Sequence, residues 1–126
     1  MQVKKTPYTL INDRKILFEF DEDLDIFEEL VEDYQGRFHL MTDEIKVGIQ
    51  NKSSEEVRIA AHTLKGVVAN FYSDKLTQLV FKMETSSHEG NWSELQEYYE
   101  EFLKDNDRVL AEVAAFIKEQ NEKPSS

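Results

Sequence analysis

The sequence predicts an all-α protein: an antiparallel up-and-down four-helix bundle with a short N-terminal arm or helix packed on its end. Three observations predict it. Four long segments hold apolar residues at helical 3/4 spacing. The polar breaks between those segments are short and carry helix-capping residues. Only four Gly and two Pro interrupt 126 residues, too few for a turn-rich β architecture. By size this is one domain, read as an arm over 1–20, a bundle over 21–121 and a frayed tail over 122–126.

The arm is the least regular part. Leu10-Ile11 and Ile16-Leu17-Phe18, with Phe20, are apolar, and residues 15–20 suit either a short strand or a helical turn. From Asp21 to Gln50 the stripe Leu24, Phe27, Leu30, Val31, Tyr34, Phe38, Met41, Ile45, Ile49 runs almost unbroken. Asp21, Glu22 and Asp23 place negative charge at its start, where the helix dipole favours it. Gly36 and Thr42-Asp43 are potential kinks, so one bent helix or two would fit.

Residues 51–54 form a polar break, and Ser53 with Glu56 reads as a capping box. Over residues 57–71, Val57, Ala60, Leu64, Val67, Val68 and Phe71 gather on one side of a helix. Ser73 or Asp74 can cap the next helix, whose core face is Leu76, Leu79, Val80 and Met83. Gly90 suits a left-handed C-cap, and Asn91 with Glu94 forms a second capping box. The last helix, about 93–120, repeats Leu95, Phe102, Val109 and Phe116 at intervals of seven. Asn106 interrupts that stripe, either at its edge or as a buried polar contact. Lys118 and Lys123 suit a C-terminal end.

Composition excludes several classes of function. With no cysteine, disulfides, thiolate metal sites and cysteine catalysis are out. A net charge of −11 disfavours nucleic acid and anionic membrane surfaces. No apolar run nears the ~20 residues that span a bilayer, and no apolar segment follows Lys4 and Lys5 as a signal peptide requires. The expected compartment is the cytoplasm. No Gly-rich phosphate loop is present, so ATP chemistry is not expected. The acidic runs at 21–25 and 97–101 read as solvated faces. His39, His62 and His88 lack the i, i+3/4 spacing of a metal site; His39 reads as a rim residue beside Phe38, and His88 as a favourable helix-end cation.

His62 stands apart. Leu64 and Phe71 lie roughly 160–180° from it around the helix, so its imidazole points to solvent. Arg58, Lys65, Gly66 and Ala69 lie within about 60° of it. The two cations can hold an anion on the ring; the two small residues let another surface approach. Gly66 costs about 1 kcal/mol relative to Ala inside a helix, and access to His62 would supply its reason. Phe81 falls about 100° from Val80, off the core face; it either packs on the bundle edge or joins an exposed apolar patch beside His62.

His62-Thr63-Leu64-Lys65-Gly66, followed by Ala69, Asn70 and Leu76, then Leu79, Met83, Glu84 and Gly90-Asn91, resembles the signature of the histidine-containing phosphotransfer (HPt) domain. The resemblance covers roughly residues 23–117. It implies a phosphohistidine carrier in a two-component phosphorelay, with no kinase or hydrolase activity of its own. His62 would accept the phosphoryl on Nε2, Glu84 would hold Nδ1–H, and Lys65 would lie beside the phosphoryl oxygens. Arg58, Gly66, Ala69 and Phe81 would face the partner, a response-regulator receiver domain or a hybrid sensor histidine kinase. No cofactor is implied on this chain; the Mg²⁺ would sit on the partner receiver. A monomer is expected. Tyr72 stands where the family commonly has glycine, and Val67 and Val68 are bulkier than usual. The competing reading is a helical adaptor that binds a signalling partner without being phosphorylated; a small metal-binding bundle is a third.

Overall fold

The computed structural model describes residues 7–21 and 23–122. Among them are five α-helices and no strand: α1 (Asp13–Glu19), α2 (Leu24–Gln50), α3 (Ser54–Val68), α4 (Asp74–His88) and α5 (Trp92–Glu122). A 3₁₀ turn, Ala69–Phe71, follows α3. In space α2 packs on α3, α3 on α4 and α4 on α5, and α5 returns more sparsely to α2. This ring of four helices encloses one core, with Phe27, Ile45, Leu64, Phe71, Leu76, Met83, Leu95, Phe102 and Phe116 almost wholly buried. The first long segment is a single helix of 27 residues. A Cβ at Gly36 would meet nothing within 4 Å, and Thr42 satisfies its hydroxyl on the Phe38 carbonyl at 2.9 Å, so neither site breaks it.

Capping residues set the helix starts. Ser53 Oγ accepts from the Glu56 amide at 3.2 Å. The other half of the expected box is redirected: the Ser53 amide bonds the Gly48 carbonyl, and the Glu56 carboxylate accepts from Asn51 Nδ2. Ser73, not Asp74, caps α4 through the Leu76 amide. Asn91 caps α5, accepting from the Glu94 amide and donating to its carboxylate. Gly90 turns the chain at φ +72°. At the same end of the bundle, the Ser54 hydroxyl donates to the Ser87 carbonyl at 2.8 Å, fastening the start of α3 to the end of α4.

Gly48 has a packing role that periodicity does not reveal. A Cβ there would stand 2.8 Å from Val57 Cγ2 and 3.0 Å from its amide nitrogen, so α2 and α3 meet almost backbone to backbone. Asn106 is buried, accepting a hydrogen bond from the Tyr34 hydroxyl. The Tyr34 ring packs edge-on against Phe71 and Phe38. Burial holds the Tyr34 phenol above its ordinary range.

Part of the arm is the seven-residue helix α1, capped by Asn12. The segment before it lies along α5, where the Glu112 carboxylate accepts from the amides of Thr9, Leu10 and Ile11 and from the Thr9 hydroxyl. Ile11 and Ile16 enter the core, whereas Phe18 stays 80% exposed. Tyr72 turns the chain in the left-handed region at φ 48°, ψ 47°. Its carbonyl accepts from the Asn12 amide at 3.1 Å, and Lys15 lies over its ring. The bulky Tyr72 ring is therefore engaged by Lys15 of α1. Glu22, Lys4, Lys5 and Lys123 lie outside the described residues, as do residues 123–126 of the expected tail, whereas Glu122, its first residue, is the last residue of α5 rather than frayed.

Candidate functional site

The outer face of α3 follows from its inner one. Val57, Ala60, Ala61, Leu64 and Val68 are buried, which turns Arg58, His62, Lys65, Gly66 and, in the following 3₁₀ turn, Ala69 to solvent; all five are exposed. The structure thus assembles five of the predicted site residues on one strip. A Cβ on Gly66 would meet nothing within 4 Å. Unlike Gly48, this glycine serves no contact inside the molecule.

Glu84 comes to this strip from α4, but it does not hold the imidazole. Among the described residues no hydrogen bond joins His62 to Glu84; the carboxylate lies 3.9 Å from the Lys65 ammonium. A full positive charge one turn along α3 attracts a carboxylate more strongly than a neutral ring N–H does. The pair is loose and half-open to solvent, so its contribution to stability is small. Glu84 Oε1 is nevertheless buried and accepts no hydrogen bond. The expected carboxylate–imidazole contact is replaced here by a carboxylate–ammonium one.

Grooves flank the strip on both sides. Between α3 and α4, Arg58, Phe81, Glu84, Thr85 and His88 line a cleft of about 520 Å³. Phe81 is 60% exposed there, so it does not pack into the bundle edge. Between α2 and α3, a cleft of about 450 Å³ is lined by Leu40, Val47 and Ile59 with Asp43, Glu44 and Glu56. The three apolar side chains are 65%, 47% and 53% exposed. These three escaped the sequence reading. Their signal was available: each is a large apolar residue off its helix's buried stripe, and Ile59 lies only about 60° from His62 around α3.

The other histidines do not join the strip. His39 is exposed, with its ring against the edge of Phe38, and His88 sits at the last residue of α4. Among the described residues no three His, Asp or Glu side chains converge as metal ligands would. No described helix is long and apolar enough to cross a membrane.

Residues 17–115 match the family model described as the Hpt domain. In fold the chain is similar to the crystal structure of histidine-containing phosphotransfer protein B (HptB) from Pseudomonas aeruginosa PAO1, with a TM-score of 0.71 at 18% identity, covering 95% of this chain and 100% of that one. No curated protein matches by sequence.

Proposed function

Because the chain belongs to the Hpt domain family and its role is phosphotransfer in a two-component phosphorelay, we propose that His62 is the residue that carries the phosphoryl group. The observation that supports this most is the company His62 keeps: an exposed ring in the middle of a capped helix, a lysine one turn on, and a glycine with no internal duty beside it.

Nε2 of a neutral ring attacks the phosphorus of a receiver's aspartyl phosphate. A P–N bond forms, the P–O bond breaks, and the aspartate leaves as its carboxylate. The ring keeps its Nδ1 proton and gains positive charge, so the reverse transfer is open to the next receiver. Such transfer depends on positioning and on offsetting charge at the phosphoryl oxygens. Lys65 offsets that charge. Glu84 acts on Lys65 in the resting protein, keeping the ammonium beside α4; a swing of its carboxylate to Nδ1–H during transfer would steady the charged ring. Arg58 adds positive potential, while Gly66 and Ala69 leave room for the partner's active site. Mg²⁺ belongs to the receiver. Receiver domains and kinases are the partner classes of this family; the protein works on them as a monomer in the cytoplasm.

The test is incubation with a phosphorylated receiver. Acid-labile, alkali-stable label should appear on the protein and vanish in His62→Gln, and Lys65→Ala should slow its appearance. Label that persists in His62→Gln assigns the carrier elsewhere. No label with any receiver tried favours an adaptor that only binds.

A further inference from the structure

We infer that the groove between α2 and α3 selects receivers by charge: it seats an amphipathic helix whose apolar ridge is flanked by lysine or arginine. The inference rests on the phosphotransfer reading and names the partner chemistry that reading leaves open.

The groove has an apolar floor and an acidic rim. Leu40 and Val47 are seven residues apart on α2, two turns or about 10.5 Å along its axis. Ile59 faces them from α3. A ridge of two apolar side chains one heptad apart on a partner helix matches that length. Asp43, Glu44 and Glu56 border the strip. Among the described residues none of the three is in an ion pair; Glu56 accepts only from Asn51. No basic residue lines the groove: Lys46 falls on the far side of Asp43, about 120° around α2 from Leu40, and Arg58 lines the other cleft. A seated helix with basic flanks would therefore meet three uncompensated carboxylates, and one with acidic flanks would be repelled. A second copy of this chain is a poor occupant, since it brings the same rim and a net charge of −11. Ile59 is one turn before His62, so a helix seated here lies directly beside the imidazole.

Charge at a rim acts mainly on encounter rate and specificity. The experiment uses the full chain and a panel of purified receiver domains whose exposed helices beside the active site range from basic to acidic, each phosphorylated with acetyl phosphate and Mg²⁺. Initial rates of label transfer are measured at low and high salt for the wild type and for the double variant Asp43→Lys/Glu44→Lys. Basic-helix receivers should be the fastest donors to the wild type and lose that advantage in high salt. The double variant should slow them by about tenfold or more and speed the acidic ones. The wild-type salt series needs no variant, so it stands even if the substitutions disturb folding. Label that forms on His62 at rates indifferent to receiver charge and salt overturns this inference alone. No label from any receiver overturns the phosphotransfer reading as well. A dimer by sedimentation that Val47→Lys dissolves would assign the groove to a second copy and overturn the inference too.

Discussion

Replacing Gly66 should move stability and function in opposite directions. Gly66 lies in the last turn of α3, and a Cβ there would meet nothing within 4 Å. Gly66→Ala therefore adds no clash and restores helix propensity, a gain of about 0.5–1 kcal/mol. For a domain of 126 residues that raises the melting temperature by roughly 2–5 °C. Gly66→Gln should stabilise almost as much, since Gln is also a good helix former. The larger side chain, however, projects about 40° around the helix from His62, where a receiver's active site would come on the proposed role of that ring. If transfer requires the partner within bonding distance of the ring, a displacement on the ångström scale should slow it by at least about tenfold. Thermal unfolding followed by circular dichroism gives the first number, and label transfer from one phosphorylated receiver gives the second. The reasoning fails if Gly66→Ala lowers the melting temperature, which would give the glycine an internal duty. It also fails if Gly66→Gln transfers at the wild-type rate, since then nothing needs the open backbone.

Asn106→Ala should cost about 1–3 kcal/mol by stranding the buried Tyr34 hydroxyl, read as a shift in urea midpoint; adding Tyr34→Phe should recover part of the loss. Glu112→Ala removes the acceptor of four hydrogen bonds, so the amides of Thr9 to Ile11 should exchange with solvent faster while label transfer to His62 is unchanged. Alkaline pH should unfold the protein partly through Tyr34, whose phenol burial raises. The folded state keeps that proton where the unfolded chain, titrating near ~10, releases it. The contribution is therefore intact below about pH 10 and lost above it, at up to ~1.4 kcal/mol per pH unit. Tyr34→Phe should flatten that part of the stability profile between pH 9 and 11; an unchanged slope would contradict it.

Much of this architecture is written locally. Helical stripes locate α2 to α5, and Ser53, Ser73 and Asn91 mark three of their starts. The outward direction of His62 follows from Leu64 and Phe71 being inward. What could not be read depends on partners distant in sequence. Helix α1 is too short to show a period, and the segment before it is held by Glu112, more than 100 residues away. Asn106 looks alike at an edge or in a core until Tyr34 is placed beside it. Gly36 and Gly48 look equivalent in a stripe, yet only the second is pressed against another helix. Glu84 reaches the strip from α4 beside Lys65, but which cation or N–H it faces is a matter of side-chain direction. The apolar residues of the groove between α2 and α3 belong to no stripe, so periodicity passes over them.

The contact at Gly48 has a mechanical consequence. With one backbone resting on another, α3 cannot slide along α2, because a shift of a single residue would drive a side chain into the gap that the missing methyl leaves. The distance from the His62 ring to the groove between α2 and α3 is then held by this contact. On the proposed roles of His62 and the groove, a receiver would meet both points as one template, and a poorly matched partner would find little yielding between these two helices. Discrimination of this kind needs no moving part, only one absent carbon some distance from the chemistry.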